Sequence, residues 1–172
     1  YSPDGRFVYL GSRDGWVSKY DLWGLKPVVE VRAGINLRNI AVSADGKWVM
    51  AGNYLPHSLV VLEADDLRPV KHIMVESGGR SSRVSAVYTA PPRHSFIAAL
   101  KDVPEVWEIS YQPDPEPVAT GTVHNYQKET LEGAFDFGPF PVRRVVLDDY
   151  LDDFFFDPSY RHAIGAARDG NA

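Results

Sequence analysis

An internal repeat is the feature that most constrains what this chain can fold into. Residues 2–11 (SPDGRFVYLG) match residues 43–52 (SADGKWVMAG), and the two segments begin 41 residues apart. A weaker third copy begins near residue 91 and a fourth near residue 157, so residues 1–172 divide into four related segments. The wide spacing before the fourth copy predicts an insertion within residues 112–153, a stretch that is rich in proline and then in acidic residues.

Each copy combines a turn that contains Asp-Gly or Pro, a short run of β-branched and aromatic residues, a polar loop and a second, alternating run. These are β-hairpin signals, and no comparably long segment has a helical period. A repeat of about 40 to 45 residues is typical of β-propeller blades, each a four-stranded sheet packed on its neighbours. The sequence therefore predicts an all-β chain that forms about half of a propeller ring. A β-sandwich is the alternative, because short strands at regular spacing suit that fold too.

Charge and composition argue against several classes of function. Lys and Arg number 18 against 23 Asp and Glu, and the net charge of −5 argues against a nucleic-acid partner. The apolar runs are far shorter than the roughly 18 residues that span a bilayer, so no membrane partner is expected. The sequence has no cysteine, which excludes disulfides, iron–sulfur clusters and covalent attachment of a c-type haem within these residues. No metal-ligand spacing is present, and the remaining histidines are expected at the surface: His72, His94, His124 and His162.

Several stretches resemble the haem d1-binding domain of the cytochrome cd1 family. They are residues 7–23 (FVYLGSRDGWVSKYDLW), 34–38 (GINLR), 51–56 (AGNYLP), 82–84 (SRV) and 96–111 (FIAALKDVPEVWEISY). The family includes cytochrome cd1 nitrite reductase and its paralogues in haem d1 biogenesis. Residues 100–118 and 151–170 look more like the cytochrome-type dihydro-haem d1 dehydrogenases than like the nitrite reductases.

The resemblance implies an eight-bladed ring in a periplasmic protein, of which this chain would be a fragment that is inactive alone. It implies non-covalent haem d1, or its dihydro precursor, in the central cavity and a c-type cytochrome as electron partner. The implied activity is oxidation of dihydro-haem d1 to haem d1. Nitrite reduction to nitric oxide is one alternative, and a non-catalytic propeller that serves as a binding platform is another. In the family the iron-ligating and distal His residues lie outside the matching segments, so no catalytic residue or iron ligand is assigned here.

The first candidates for cofactor contact are two arginines and a tyrosine. Haem d1 carries carboxylates, and the planar fork of Arg binds carboxylate in a bidentate way. Arg13, beside the Asp-Gly of a hairpin, and Arg38, after the sequence GINL, match positions that face the cofactor in the family. The alternative for each is an exposed loop Arg. Tyr54 is a candidate to lie along the macrocycle edge, or else to close the blade as a core residue.

Three further candidates complete the predicted cofactor site. His57 could carry a proton near neutral pH, although an exposed loop His is the alternative. Arg83 and Lys101 stand at strand ends of the third copy, where they either extend the cationic lining or are simple surface charges.

An acidic run at residues 148–157 places four carboxylates before three phenylalanines. This pattern favours a solvated acidic loop that leads into a buried strand. Docking of a partner cytochrome is the minor alternative.

Overall fold

The chain folds into successive antiparallel sheets, as the computed structural model shows for residues 1–125, 130–168 and 170. The first sheet has the strand order β1–β2–β3. Its strands are β1 (Phe7–Gly11), β2 (Trp16–Asp21) and β3 (Lys26–Arg32). The second sheet has the order β4–β5–β6–β7. Its strands are β4 (Asn36–Val42), β5 (Trp48–Leu55), β6 (Ser58–Glu63) and β7 (Pro69–Met74).

The third sheet follows a small hairpin and contains an excursion. The hairpin consists of β8 (Glu76–Ser77) and β9 (Arg80–Ser81). The sheet begins with β10 (Val84–Ala90), β11 (Ser95–Leu100) and β12 (Glu105–Ser110). A separate two-stranded sheet, β13 (Val118–Asn125) with β14 (Thr130–Asp136), precedes the fourth strand, β15 (Val142–Val146).

A short fourth sheet pairs β16 (Phe155–Phe156) with β17 (Ala163–Ile164). The only helical segment among the described residues is a 3₁₀ turn at Pro91–Arg93. The all-β prediction is therefore confirmed. No helix in the described part of the chain is long and apolar enough to cross a membrane.

The repeated Ser-x-Asp-Gly turn forms the same hydrogen bonds in both copies. Ser2 Oγ bonds Asp4 Oδ1 at 2.5 Å and accepts the Phe7 N–H at 2.9 Å. In the second copy, Ser43 Oγ bonds Asp45 Oδ1 at 2.6 Å and accepts the Trp48 N–H at 2.9 Å. Side chains that bond nearby backbone groups in this way stabilise a turn. The repeat in sequence is thus a repeat of local structure, and each copy of the turn leads directly into a strand.

Neighbouring sheets pack face to face because the repeat carries a glycine at the crossing point. A Cβ on Gly52 would lie 2.6 Å from Val87 Cγ2 and 2.8 Å from Val84 Cγ1, both on the first strand of the third sheet. Gly11, 41 residues earlier, faces Leu37 and Ile40 on the first strand of the second sheet in the same way. Only glycine permits so close an approach at both positions.

Two apolar clusters fill the space between these sheets. The larger joins the second and third sheets and includes Met50, Val61, Phe96, Trp107 and Ile109. The other joins the first and second sheets. The burial of β12 alternates along the strand, whereas every residue of β11 is buried. Both strands are inner strands of the sheet, so the difference lies in their coverage: β11 is covered on both faces, whereas β12 is fully covered on one face only.

Antiparallel order places alternate connections at the same end of the sheets. The β1–β2, β5–β6 and β11–β12 hairpins share one end with the β3–β4, β7–β10 and β15–β16 connections. Backbone hydrogen bonds link several of these segments, including the Ile35 N–H to the Leu55 carbonyl at 2.8 Å. We call this end of the molecule the hairpin end.

Candidate functional site

All six predicted site residues lie at the hairpin end. Arg13, His57 and Lys101 belong to its hairpins. Tyr54 is the last residue but one of β5, Arg38 lies near the start of β4, and Arg83 directly precedes β10. The sequence analysis grouped them as candidates for one cofactor site, chiefly through the resemblance to the family. Their role in binding a cofactor stays a prediction.

Two irregularities in strand pairing present Tyr54 and Arg38. In the β4–β5 ladder, Asn36 pairs with Leu55 and Leu37 with Asn53, which leaves Tyr54 unpaired. Asn39 then pairs with Gly52, which leaves Arg38 unpaired. Bulges of this kind redirect side chains and are common beside functional sites.

The Tyr54 ring is the centre of a cationic cluster. The guanidinium carbon of Arg83 lies 5.3 Å from the ring centroid and that of Arg38 lies 5.9 Å from it. Both distances fall within the range of cation–π attraction. Tyr54 is half-buried and Arg38 is exposed, so part of the ring and one guanidinium remain open to solvent. The structure thus brings three of the six predicted residues together.

Arg83 is held by a carboxylate that sequence reasoning missed. Its Nε donates to Asp102 Oδ2 at 2.9 Å and its Nη2 donates to Asp102 Oδ1 at 2.6 Å. The side-chain hydrogen bond from Arg83 is the main reason that the pKa of Asp102 falls from its ordinary 3.8 to about 2, and it raises the pKa of Arg83. Asp102 occurs in the β11–β12 hairpin, and nothing in the sequence singles it out from other loop carboxylates.

His57 borders a polar cavity of about 450 Å³ next to this cluster. Its Nδ1 lies 2.8 Å from Ser81 Oγ of the small β8–β9 hairpin. Arg80, from the same hairpin, donates to the Asp102 carbonyl at 3.3 Å and has no carboxylate partner among the described residues. Three arginines and His57 face one carboxylate in this cavity, so the cavity carries net positive charge.

Lys101 is paired rather than free. Its Nζ donates to Asp152 Oδ2 at 3.0 Å, and Arg168 donates to Asp152 Oδ1 at 2.6 Å. Burial alone would raise the pKa of Asp152, but the hydrogen bonds from Arg168 and Lys101 outweigh it and the pKa lies below its usual range. Part of the positive charge expected from Lys101 is therefore compensated by Asp152.

Arg13 is exposed, and within the described residues it makes no hydrogen bond, ion pair or ring contact with the other candidates. Arg168 occupies the equivalent place in the fourth copy, since Arg-Asp-Gly recurs there at the same offset as Phe7 to His162. That repeat could have identified Arg168 from the sequence. Arg80 left no comparable signal.

The acidic run is less solvated than the sequence predicts. Asp152 binds two cations, Asp153 accepts the Tyr88 hydroxyl at 2.8 Å, and Asp157 accepts the backbone N–H groups of a turn. Phe154 is buried, but it precedes β16, in which Phe155 is 69% exposed and Phe156 is half-buried. The expected buried strand is therefore wrong, because only the first of the three phenylalanines packs inward.

No group of three His, Cys, Asp or Glu side chains in the described part of the chain is arranged to hold a metal ion. Among the remaining histidines, His72, His94 and His162 are exposed, and the side chain of His124 lies outside the described residues.

The hairpin end therefore combines guanidinium groups with exposed apolar surface. Ile35 is 62% exposed and Leu55 is 49% exposed, and they flank the strand ends that present Tyr54 and Arg38. Large exposed apolar side chains beside fixed cationic groups are features of a ligand site. This arrangement suits a flat apolar ligand with anionic substituents.

Comparisons with known proteins identify the family of this chain. The model of the Cytochrome D1 heme domain family matches residues 1–138. Dihydro-heme d1 dehydrogenase from Pseudomonas aeruginosa is 52% identical over 169 residues, which cover 98% of this chain and 30% of the relative. Nitrite reductase from Stutzerimonas stutzeri is 28% identical over 77% of this chain and 24% of its own length. The chain thus spans less than a third of either relative.

Solved structures support the same fold. The structure of dihydro-heme d1 dehydrogenase NirN in complex with DHE matches with a TM-score of 0.82 and 50% identity, over 98% of this chain and 32% of that one. The β-propeller domain of Cps50 from Myceliophteria thermophila matches with a TM-score of 0.59 and 15% identity, over 98% of this chain and 60% of that one. These likenesses confirm the propeller prediction, and the β-sandwich alternative is wrong. The chain belongs to the Cytochrome D1 heme domain family.

Proposed function

We propose that this chain is part of the haem d1-binding propeller of a periplasmic oxidoreductase that converts dihydro-haem d1 to haem d1. The observation that carries the proposal is the contrast in identity: 52% to a dihydro-heme d1 dehydrogenase over 98% of the chain, against 28% to a nitrite reductase over 77%. The activity belongs to haem d1 biogenesis, in the context of denitrification.

The residues present fit such a ligand. Haem d1 is a flat macrocycle with several carboxylate substituents, and the hairpin end offers a half-buried ring, exposed aliphatic side chains and several guanidinium groups. Arg38 has no carboxylate partner among the described residues, so its N–H donors are available for a substituent of the ligand. Arg13 is available in the same way, and the guanidinium of Arg83 lies beside the Tyr54 ring.

The reaction turns a propionate side chain into an acrylate, with loss of two protons and two electrons. The bound macrocycle would supply an electron path through its iron to a c-type cytochrome in another domain or protein. The arginines keep the carboxylates in register, which fixes the C–H bonds that break. His57 would accept a proton: when Nδ1 donates to Ser81 Oγ, Nε2 retains a lone pair.

Reconstitution of the full-length protein tests the proposal. Haem d1 added to the apoprotein should shift its visible absorption bands, and dihydro-haem d1 with an electron acceptor should be converted to the haem d1 spectrum. Unshifted bands would reject cofactor binding and favour a binding platform. Sustained formation of nitric oxide from nitrite would favour the nitrite reductase alternative.

Substitution of Arg13 and Arg38 tests the predicted contacts. We expect R13A and R38A each to weaken haem d1 binding by about 1.5 to 3 kcal/mol, the range for one charge-assisted hydrogen bond. K47A is the control, because Lys47 is an exposed cation in the β4–β5 turn at the opposite end. Unchanged affinity in both arginine variants would remove these side chains from the site.

A further inference from the structure

The Arg83–Asp102 pair joins two segments from different parts of the hairpin end. Besides the two guanidinium contacts, the Arg83 backbone N–H donates to Asp102 Oδ2 at 2.9 Å. The Asp102 N–H in turn donates to Ser82 Oγ at 2.9 Å. Four hydrogen bonds therefore fix the residues before β10 against the β11–β12 hairpin. A bidentate pair held in this way leaves the guanidinium plane little freedom.

This arrangement decides which donors of Arg83 remain available. Nε and Nη2 are occupied by Asp102, whereas Nη1 has no hydrogen-bond partner among the described residues. The same guanidinium lies 5.3 Å from the Tyr54 centroid. Asp102 thus binds one edge of the guanidinium and leaves the opposite donor pair open beside the ring.

Arg38 is an arginine of the same site that no carboxylate in the described part of the chain holds in place. It touches the same ring, at 5.9 Å, but no acidic side chain in the described residues orients it. Arg and Lys side chains have high rotamer entropy, so an unheld guanidinium must be ordered when a ligand binds. Arg83 has already lost that freedom in the free protein.

We propose that Asp102 is a positioning residue that orients Arg83 so that Nη1 meets a carboxylate of the bound macrocycle. The inference rests on the proposed function, because it needs an anionic tetrapyrrole beside Tyr54. Asp102 does not touch the ligand and acts only through Arg83. It holds the cation in the geometry that bidentate or in-plane recognition of a carboxylate requires.

The charge of Asp102 and its proposed orienting role have opposite effects on the binding of an anionic ligand. Asp102 is itself negative, so its charge repels an anionic ligand across a short distance. If charge alone mattered, neutralising Asp102 would strengthen binding. If orientation matters, the same change weakens binding. The two readings therefore predict changes of opposite sign for one substitution.

The experiment is a visible-absorption titration of the full-length apoprotein with haem d1. We expect D102N to raise the dissociation constant about 10-fold, by analogy with the lower end of the effect of residues that orient metal ligands. The matched control is E108Q. Glu108 forms a bidentate pair with Arg93, at 2.7 and 2.8 Å, in the same sheet but beside the opposite turn, and its loss should leave binding unchanged.

A double-mutant cycle tests whether Asp102 acts through Arg83. In the R83A background, D102N should cause no further weakening. R83K keeps the charge without the planar fork, so it should bind about as weakly as D102N, and it carries the test if D102N does not fold. Thermal melts of each variant separate local effects from loss of the folded state.

Three results would overturn the assignment. They are wild-type or tighter binding in D102N, equal weakening by D102N with and without Arg83, and wild-type binding by R83K. A wild-type protein that fails to bind haem d1 at all would instead refute the proposed function, and with it this inference. Whether the wild-type protein binds haem d1 therefore distinguishes failure of the proposed function from failure of this inference.

Discussion

The glycine at the crossing of the second and third sheets makes the packing of this propeller testable. In G52A, the new methyl group would lie 2.6 Å from Val87 Cγ2 and 2.8 Å from Val84 Cγ1, both closer than side-chain carbons pack. Val84 is 0% exposed and Val87 is 1% exposed, so neither can move into solvent. Both are β-branched and stiff about χ1, so rotation offers little relief.

The expected magnitude follows from two opposing effects. Overpacking a tight core costs about 1 to 3 kcal/mol. Replacing glycine by alanine within a strand returns about 0.5 to 1 kcal/mol of backbone entropy. Because two buried and stiff groups oppose the methyl, the cost falls in the upper half of its range. We expect a net loss of about 2 kcal/mol in the free energy of unfolding.

Equilibrium urea unfolding, followed by tryptophan fluorescence, measures this loss. With a slope of about 2 kcal/mol per molar urea, the midpoint should fall by about 1 M. G11A is the internal control, since its methyl would meet Leu37 Cδ2 at 2.8 Å and Ile40 Cγ2 at 3.1 Å. Leu37 Cδ2 is the end of a flexible side chain, and the β-branched Ile40, being further away, needs to shift by only a few tenths of an ångström, so G11A should cost about half as much.

Three outcomes bear against this reasoning. An unchanged or higher midpoint for G52A would show that the sheets can separate without loss. Equal losses in G52A and G11A would show that side-chain stiffness is irrelevant. A changed slope would mean that the unfolded or native state itself had altered, so the midpoint shift could no longer be read as packing energy.

Two further predictions concern pH and the central ring. Asp102 and Asp157 have pKa values of about 2 against an ordinary 3.8. Their stabilising contacts are therefore complete above about pH 4 and are lost as the pH falls towards 2. In D102N the urea midpoint should decline less over that interval, and a decline identical to that of the wild type would contradict the pairing with Arg83. Y54F should retain most haem d1 affinity because the ring that Arg38 and Arg83 approach remains, whereas Y54A should lose about 1 to 2 kcal/mol. Equal affinity of both variants in an absorption titration would argue against ring contact.

The repeat predicted the fold because each residue that recurs in it has a local structural role. The Ser-x-Asp-Gly turn closes through its own side chains, and the glycine nine residues after Ser2 or Ser43 admits the next sheet. These roles depend on residues that are close in sequence, so a single amino-acid sequence is enough to recognise them. The candidate site residues came chiefly from the family resemblance, and they lie at one end because equivalent hairpins of an antiparallel repeat lie at equivalent ends.

The details of the site depend on contacts that sequence spacing does not encode. Tyr54 and Arg38 are presented by two bulges, one on each of two paired strands, and the sequence of one strand does not show where its partner leaves a residue unpaired. Asp102 meets Arg83 from another hairpin, and Lys101 is compensated by Asp152, which lies 51 residues further along the chain. Such pairings form only when separate loops converge.

Because every candidate group lies at the hairpin end, substitutions of these residues are separated in space from substitutions in the apolar clusters. The apolar clusters between the sheets contain none of the six candidate residues, and only Arg38 and Tyr54 belong to strands at all. Substitution of loop residues can therefore alter what the molecule recognises without reducing the apolar contacts that keep it folded. A propeller built in this way can exchange one ligand for another while its architecture persists.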